Sequence, residues 1–445
     1  MSEMAQHIIR DKDSRIMNKI PKILIIENEC LSYSSSNGRT LANLFVGWPK
    51  DHLAQFCISM NDPNYEVCDN YYCVTDFDAL NALIRRKKID GKHDVIKPSE
   101  SSSGKSIEKT PFTMVIRNAI WNTNAWLQKS FNDWVEKFHP DLILLMNGDS
   151  YFMHKIADDL AEKYHLPMII FNCEAYYFFD KNIRGKGFMP GLFQKIFVKN
   201  YRKYFEKVIN YADHSIYLNE VLQRDYTDIF HKPSTTIYTS SELSFEPKYE
   251  ISDKPLFSYL GSFYFDRYKS LIDIAQTLKE INPVYHLDVY GNLKGFDETK
   301  KAFEECDAIN YCGSVAYDKV VNVIRESDIV FHAECFDEEK LYAIRYGFST
   351  KIADSVSSGN NFLAFAPENI AFMQYLSSNN CAWCVTKKEY LSPALKRLLT
   401  DKDERIRILT NAKSVSENNH RADKNGKRFQ EILIKCYQKH INEKC

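Results

Sequence analysis

Short apolar runs alternate with longer amphipathic stretches along most of this chain. The first run, KILII (22–26), passes into a polar segment, Glu27 to Asn37, and then through Gly38-Arg39-Thr40 into LANLFVGW, which reads as helical. AQFCIS (54–59) and NYYCVT (70–75) have strand character, and NAWLQKSFNDWVEKF predicts a helix that stops before Pro140. DLILLMNG (141–148) is apolar throughout, as a strand covered on both faces requires, and HKIADDLAEKYH follows as an amphipathic helix. PMIIFNCE (167–174) and HSIYLN (214–219) are further strands, and VLQRDYTDIF is a helix. Strand and helix in this succession build a parallel sheet clothed by helices.

Polar residues 239–254 interrupt the rhythm, and then it restarts. PLFSYLGS is a strand and loop, RYKSLIDIAQTLKEI a helix, and YHLDVYGN a strand. INYCGSV, the helix YDKVVNVIRESD and the strand IVFHAE follow, then GFSTKIADSVSSG, FLAFAP and a helix over ENIAFMQYLSSN. The expected fold is α/β with two Rossmann-like domains, one over 20–245 and one over 246–420. A last helix, over 421–445, packs back across one of them. Residues 88–111, rich in Lys, Ser and Gly, read as a mobile excursion.

The bulk numbers narrow the function. A length of 445 residues exceeds what one core supports. With 44% hydrophobic and 26% charged residues the chain is not a disordered one. Its 58 Lys and Arg nearly balance 59 Asp and Glu, which argues against bulk nucleic-acid binding. No apolar run is long enough to span a bilayer, and the first residues lack the apolar centre of a secretory signal. The 12 cysteines show no framework, so reduced thiols and a cytoplasmic location are expected. His332-Ala333-Glu334 and the pair Cys381 and Cys384 resemble fragments of a zinc deaminase. No proline precedes Cys381, however, and the acid stands where a strand is ending, so no metal site is expected.

Residues 181–210 are basic and aromatic, with Arg184, Lys186, Lys195, Lys199, Arg202, Lys203 and Lys207. They form either a solvated helical face or a surface for anionic lipid or an anionic acceptor, which would place the protein on the inner face of the cytoplasmic membrane.

Open parallel sheets bind ligands at the carboxyl ends of their strands. In the second half, Gly261-Ser262 leads to Asp266-Arg267, Gly291-Asn292 and Gly313-Ser314 end two strands, and Glu334 to Glu339 end a fourth. Arg267 opens a helix, where the dipole does not favour a cation, so it is read as a phosphate clamp rather than a solvated arginine. Ser349, Thr350 and Lys351 supply hydroxyl, backbone and ammonium donors for a diphosphate, against the plainer reading of an N-cap. Asp354, four residues beyond Thr350, accepts from two ribose hydroxyls or serves as a first-turn acid. In the first half, Gly38 permits close backbone approach and Arg39 can meet charge. Asp149 and Glu174 are candidate general bases or simple caps, with His154 nearby in sequence.

These residues in this order, GSFYFDRYKSLIDIA, HLDVYGN and GFSTKIADSVSSG before FLAFAP, resemble glycosyltransferases of the two-domain GT-B fold. They are closest to the bacterial enzymes of capsule, lipopolysaccharide or other surface-glycan assembly. NEVLQRDYTDIFHKP resembles the last helix of their acceptor domain. The resemblance implies parallel sheets facing across a cleft, with a nucleotide diphosphate sugar (UDP- or GDP-linked) as donor and no tightly bound cofactor or metal. It implies a glycan, glycolipid or protein-linked acceptor, and transfer with retention. In the retaining members, a Glu-x7-Glu element precedes a small-residue helix and a glycine. Asp354, five before Gly359, matches the second, ribose-binding glutamate. Tyr346 stands where the first would be and Asn361 where proline is common, so Glu338 or Glu339 is the candidate for the missing carboxylate. Arg267 matches the basic residue on the donor diphosphate. The competing functions are a sugar phosphorylase, a nucleotide-sugar epimerase, and a non-catalytic glycan-assembly partner on the same scaffold.

Overall fold

The computed structural model describes residues 19–85, 109–180, 188–315 and 317–444. Arg184, Lys186 and nearly all of the 88–111 stretch lie outside the described residues. The chain divides into two compact units. The first holds residues 1–218, 222–237 and 426–445, and the second holds 219–221 and 238–425.

In the first unit the order is β1 (Ile23–Ile26), α1 (Ser36–Leu44), β2 (Leu53–Cys57), β3 (Tyr71–Cys73), α2 (Asp76–Arg85), α3 (Pro111–Asn122) and α4 (Lys129–Phe138). Then come β4 (Leu142–Asn147), α5 (Tyr151–Tyr164), β5 (Met168–Asn172), α6 (Pro190–Tyr211), β6 (His214–Tyr217), α7 (Glu220–Phe230) and β7 (Ser234–Thr236). The seven strands are parallel in the order β3-β2-β1-β4-β5-β6-β7. Every residue of β1, β2, β4 and β5 is buried, which explains why these strands are apolar without alternation. The chain works outward from β1 to β3 and returns to β4, so the switch point lies between β1 and β4.

Two local departures from the sequence pattern have clear causes. Helix α3 starts at a proline behind a capping box in which Thr113, rather than Glu or Gln, takes the reciprocal place. Thr110 Oγ1 accepts from Thr113 N at 3.2 Å, and Thr113 Oγ1 from Thr110 N at 2.9 Å. The helix expected from Asn124 begins at Lys129 instead, because Asn124 takes a left-handed conformation at φ 57°.

The second unit runs β8 (Phe257–Leu260), α8 (Arg267–Ile281), β9 (Leu287–Tyr290), α9 (Asp297–Glu304), β10 (Ile309–Gly313), α10 (Tyr317–Glu326) and β11 (Ile329–Ala333). It continues through α11 (Glu338–Ile344), α12 (Thr350–Ser358), β12 (Asn361–Phe365), α13 (Ala371–Ser378), β13 (Trp383–Val385), α14 (Leu391–Thr400) and α15 (Lys402–Asn419). Its six parallel strands lie in the order β10-β9-β8-β11-β12-β13, with the switch point between β8 and β11. Helix α12 ends at Gly359, whose φ is 84°, and a Cβ there would stand 2.3 Å from Glu246 O.

Helix α16 (Ala422–Lys444) starts in the second unit and belongs to the first from Gly426 onward. Phe429, Leu433, Cys436 and Tyr437 join the first unit's core, with the Phe429 ring edge-on to Phe45 at 5.1 Å. Gln430 Nε2 donates to the carbonyls of Leu44 and Val46, both at 3.0 Å. Among the described residues no helix is long and apolar enough to cross a membrane, and the described cysteines are free thiols.

Candidate functional site

The second unit gathers its polar groups around the carboxyl ends of β8 and β11. Two glycines let the loops close in. A Cβ on Gly291 would meet Gly261 O at 2.3 Å and the Phe263 ring at 2.7 Å, and one on Gly261 would strike Tyr259 Oη at 2.4 Å. The loop after β8 then passes through two consecutive left-handed residues, Phe265 (φ 59°) and Asp266 (φ 57°). Such backbone carries strain that its surroundings must hold. Asp266 is fastened by Lys269 at 3.0 Å and by Lys340 of α11. Burial pushes its carboxyl up, but the two lysines outweigh that and keep it below its ordinary range.

This loop delivers Arg267 to the first residue of α8. Its guanidinium grips Glu334, just beyond β11, with two donors, Nε to Oε2 at 2.7 Å and Nη2 to Oε1. Nη1 donates to Ser262 Oγ at 2.8 Å. The pair is largely buried, the side chains being 16% and 5% exposed. Ser270 Oγ, one turn further along α8, donates to Glu334 O at 2.7 Å. Helix and strand end are therefore tied by both side chain and backbone.

His332, 4% exposed, has its Nε2 buried without a hydrogen-bond partner and 3.6 Å from Glu334 Oε1, beyond hydrogen-bond reach. Burial lowers the imidazole pKa most. The nearby carboxylate of Glu334 opposes this, and the charges of Arg267 and Lys351 lower it further. Glu334 feels burial upward, overcome by His332 and Arg267, so its carboxyl stays below the ordinary value. Lys351, in the first turn of α12, is thus close enough to act on the same histidine as Arg267 does. Ser349 caps α12 through Oγ, which accepts from Lys351 N at 3.3 Å, and Thr350 opens the helix.

The remaining sequence candidates are placed as follows. Asp354 is buried in α12, where Ser241 Oγ donates to it at 2.7 Å. Glu338 lies exposed in the first turn of α11. Tyr346 is buried and its carbonyl accepts from Asn219 Nδ2 at 3.1 Å. In the first unit, Gly38 sits in the first turn of α1, donating to Ser35 Oγ at 3.2 Å, and Arg39 follows it. Asp149 is buried after β4 and pairs with Lys109 Nζ at 3.1 Å, while Ser150 Oγ donates to it at the same distance. His154 is a core residue: burial pushes its imidazole down to about 3, and Nε2 meets Asn147 Oδ1 at 2.9 Å. Glu174, after β5, keeps exposed surface, yet the protein crowding around it removes enough solvation to raise its carboxyl to about 7.

In the described structure, then, Arg267, Lys351 and the start of α12 come together at one strand end, whereas Glu338 projects into solvent. Sequence reasoning missed two groups. His332 was read only as a deaminase fragment, and Glu334 as that and as one of the polar residues ending the fourth strand; neither was read as a neighbour of Arg267, although His332 lies in β11 and Glu334 directly after it. Glu27, 5% exposed directly after β1, went unnoticed; burial holds its carboxyl well above the ordinary value, with Glu29 adding to the effect.

Solved structures share this architecture. HepE from Anabaena, in complex with UDP, superposes with a TM-score of 0.60 at 11% identity, over 93% of this chain and 99% of that one. The fold is one that glycosyltransferases use. Sucrose-phosphate synthase from Thermosynechococcus elongatus matches with a TM-score of 0.59 at 12% identity, covering 93% of this chain and 98% of its own. The lipopolysaccharide outer core galactosyltransferase WaaB matches with a TM-score of 0.55 at 13% identity, over 95% and 99%. No protein-family model matches the sequence, and no curated protein matches it.

Proposed function

We propose that this chain is a glycosyltransferase that moves a sugar from a nucleotide diphosphate sugar, UDP- or GDP-linked, to an acceptor hydroxyl on a glycan, glycolipid or protein-linked saccharide. The observation that carries the reading is the convergence of Arg267 and Lys351 on the end of β11, at the switch point of the second sheet and beside the amino end of α12. Two cations in one place, beside the positive end of a helix dipole, suit a pyrophosphoryl group. That HepE has been solved with UDP and with UDP-glucose supports the choice of ligand.

In this reading Arg267, Lys351 and the positive end of the α12 dipole stabilise the charge that grows on the departing diphosphate. Asp354, held by Ser241, is the residue for the ribose hydroxyls. Retention, which follows from the family resemblance, lets the leaving-group oxygen take the acceptor's proton. Inversion would call on a carboxylate, and Glu174, whose carboxyl titrates at about 7, is better tuned for that than Asp149, which is spent on Lys109. Surface-glycan assembly is the setting the resemblance favours. A peripheral membrane position is supported by α6, where Lys195, Lys199 and Lys203 are exposed at a spacing of four residues beside exposed Phe188, Met189 and Leu192. Arg202 and Lys207, by contrast, are paired with Asp180 and Asp158.

A second reading, a non-catalytic partner on the same scaffold, draws on the buried Tyr346 in place of an acid. A calorimetric screen of UDP, GDP, ADP and CMP tests the proposal. UDP or GDP should bind, Arg267→Ala should weaken binding at least tenfold, about 1.4 kcal/mol, and Lys195→Ala should not. Failure of every nucleoside diphosphate to bind would sink it. Binding without transfer or hydrolysis of any sugar nucleotide would favour the second reading.

A further inference from the structure

We propose that the His332–Glu334 pair takes up a proton when an anionic diphosphate engages Arg267 and Lys351, which makes donor binding proton-linked. This rests on the nucleotide-sugar reading above and adds a property to the same site.

The argument starts from competition. A guanidinium offers five donors in a fixed fork. Here Nε and Nη2 are committed to Glu334 and Nη1 to Ser262 Oγ. A diphosphate that comes to Arg267 therefore arrives beside a carboxylate that already holds it. Two like charges cannot share one cation in a buried place without cost, and a proton relieves that cost. The structure holds a receiver for it. His332 Nε2 is buried, lacks a hydrogen-bond partner, and stands 3.6 Å from the same Glu334 Oε1 that Arg267 grips. Buried polar atoms are rarely left unpaired, and one that is calls for an explanation.

What disfavours charge on the imidazole is also what a ligand would change. From α8 it faces Arg267, from α12 Lys351, and from its own strand end Glu334, while burial disfavours charge. From α13 the Phe372 ring meets it edge-on at 4.9 Å. The acid on α12, Asp354, is engaged by Ser241. A bound diphosphate cancels the two opposing cations and adds negative charge. The proton comes from solvent onto Nε2, and the imidazolium then donates to Glu334, freeing part of the guanidinium for phosphate oxygens. No bond other than N–H is made.

The test is calorimetry on the full chain with UDP-glucose and GDP-mannose, whose diphosphate is a diester with no proton to exchange near neutral pH. Titrations at pH 7.5 in PIPES, HEPES and Tris, which differ in ionisation enthalpy, count the protons exchanged. Expected is an uptake of roughly half to one proton, with Kd rising about three- to tenfold from pH 7 to 8. His332→Gln should bind with buffer-independent heat and a flat pH profile. Glu334→Gln, which leaves the guanidinium less occupied, should also lose the uptake. Wild-type binding with no proton exchanged overturns the proposal whatever the variants do, and so does uptake that persists in His332→Gln. Absence of binding by either sugar nucleotide would instead remove the nucleotide-sugar reading and this proposal with it.

Discussion

Replacing Arg267 by methionine should destabilise the protein through Glu334. The substitution keeps most of the packing stem but leaves a carboxylate that is only 5% exposed without its bidentate partner. Breaking a buried pair by removing one member costs about 3–5 kcal/mol. At ~2–4 °C per kcal/mol for a domain of this size, the melting temperature should drop by roughly 6–20 °C. The pH dependence follows from the two directions of shift. In the wild type Glu334 is held below its ordinary value, so its pairing stabilises above about pH 4.3 and is lost as pH falls through the lowered pKa. In the variant the burial that already pushes this carboxyl up is no longer offset by the guanidinium, so the folded state prefers it protonated. The deficit therefore grows as pH rises, and is larger at pH 8 than at pH 5. Differential scanning fluorimetry at both pH values measures it. Arg267→Met combined with Glu334→Gln, which removes the stranded charge, should recover at least half of the loss. A single variant melting within about 2 °C of wild type, or a double variant no better than the single, would refute the reasoning.

Gly359→Ala should cost at least about 1–3 kcal/mol in chemical denaturation, since the residue is left-handed and the added methyl would sit 2.3 Å from Glu246 O; an unchanged midpoint would contradict the backbone described. If Glu174 acts as a base, transfer should rise with pH through about 7 as its carboxyl ionises, and Glu174→Gln should erase that limb; a limb that survives assigns it elsewhere. Reversing Lys195, Lys199 and Lys203 to glutamate should abolish sedimentation with anionic vesicles while leaving thermal stability within about 0.5 kcal/mol, as all three are exposed. Equal recovery of wild type with neutral and anionic vesicles would remove the lipid surface.

How much of this was legible in the chain depended on how much chemistry was local. The strands β1, β4, β5, β11 and β12 are buried on both faces, and their largely apolar runs announced them. Helix α15 did not show itself. Its sequence, KDERIRILTNAKSVSENN, buries Arg405 and Ser416 alongside Ile408 and Leu409, so no clean apolar stripe runs along it. Arg405 is accommodated there because Nη1 and Nε donate to the carbonyls of Leu398 and Tyr249. At the site, the helix openings at Arg267 and Thr350 were readable from loop and capping residues. The grip of Arg267 on Glu334 was not, because it joins positions 67 residues apart that only the sheet order makes adjacent. The same holds for Ser241 and Asp354, separated by 113 residues.

The long last helix sets a timetable for biosynthesis. The first unit's apolar interior is completed by Phe429, Leu433 and Tyr437, so a ribosome that has made residues 20–237 has not yet supplied all that this unit packs. Until the final turns emerge, the surfaces of Phe45 and Phe171 that receive Phe429 stay open to water, proteases and chaperones. The portion made before residue 238 thereby waits for residues 426–445, and a nascent chain halted near residue 425 would leave it exposed to quality control.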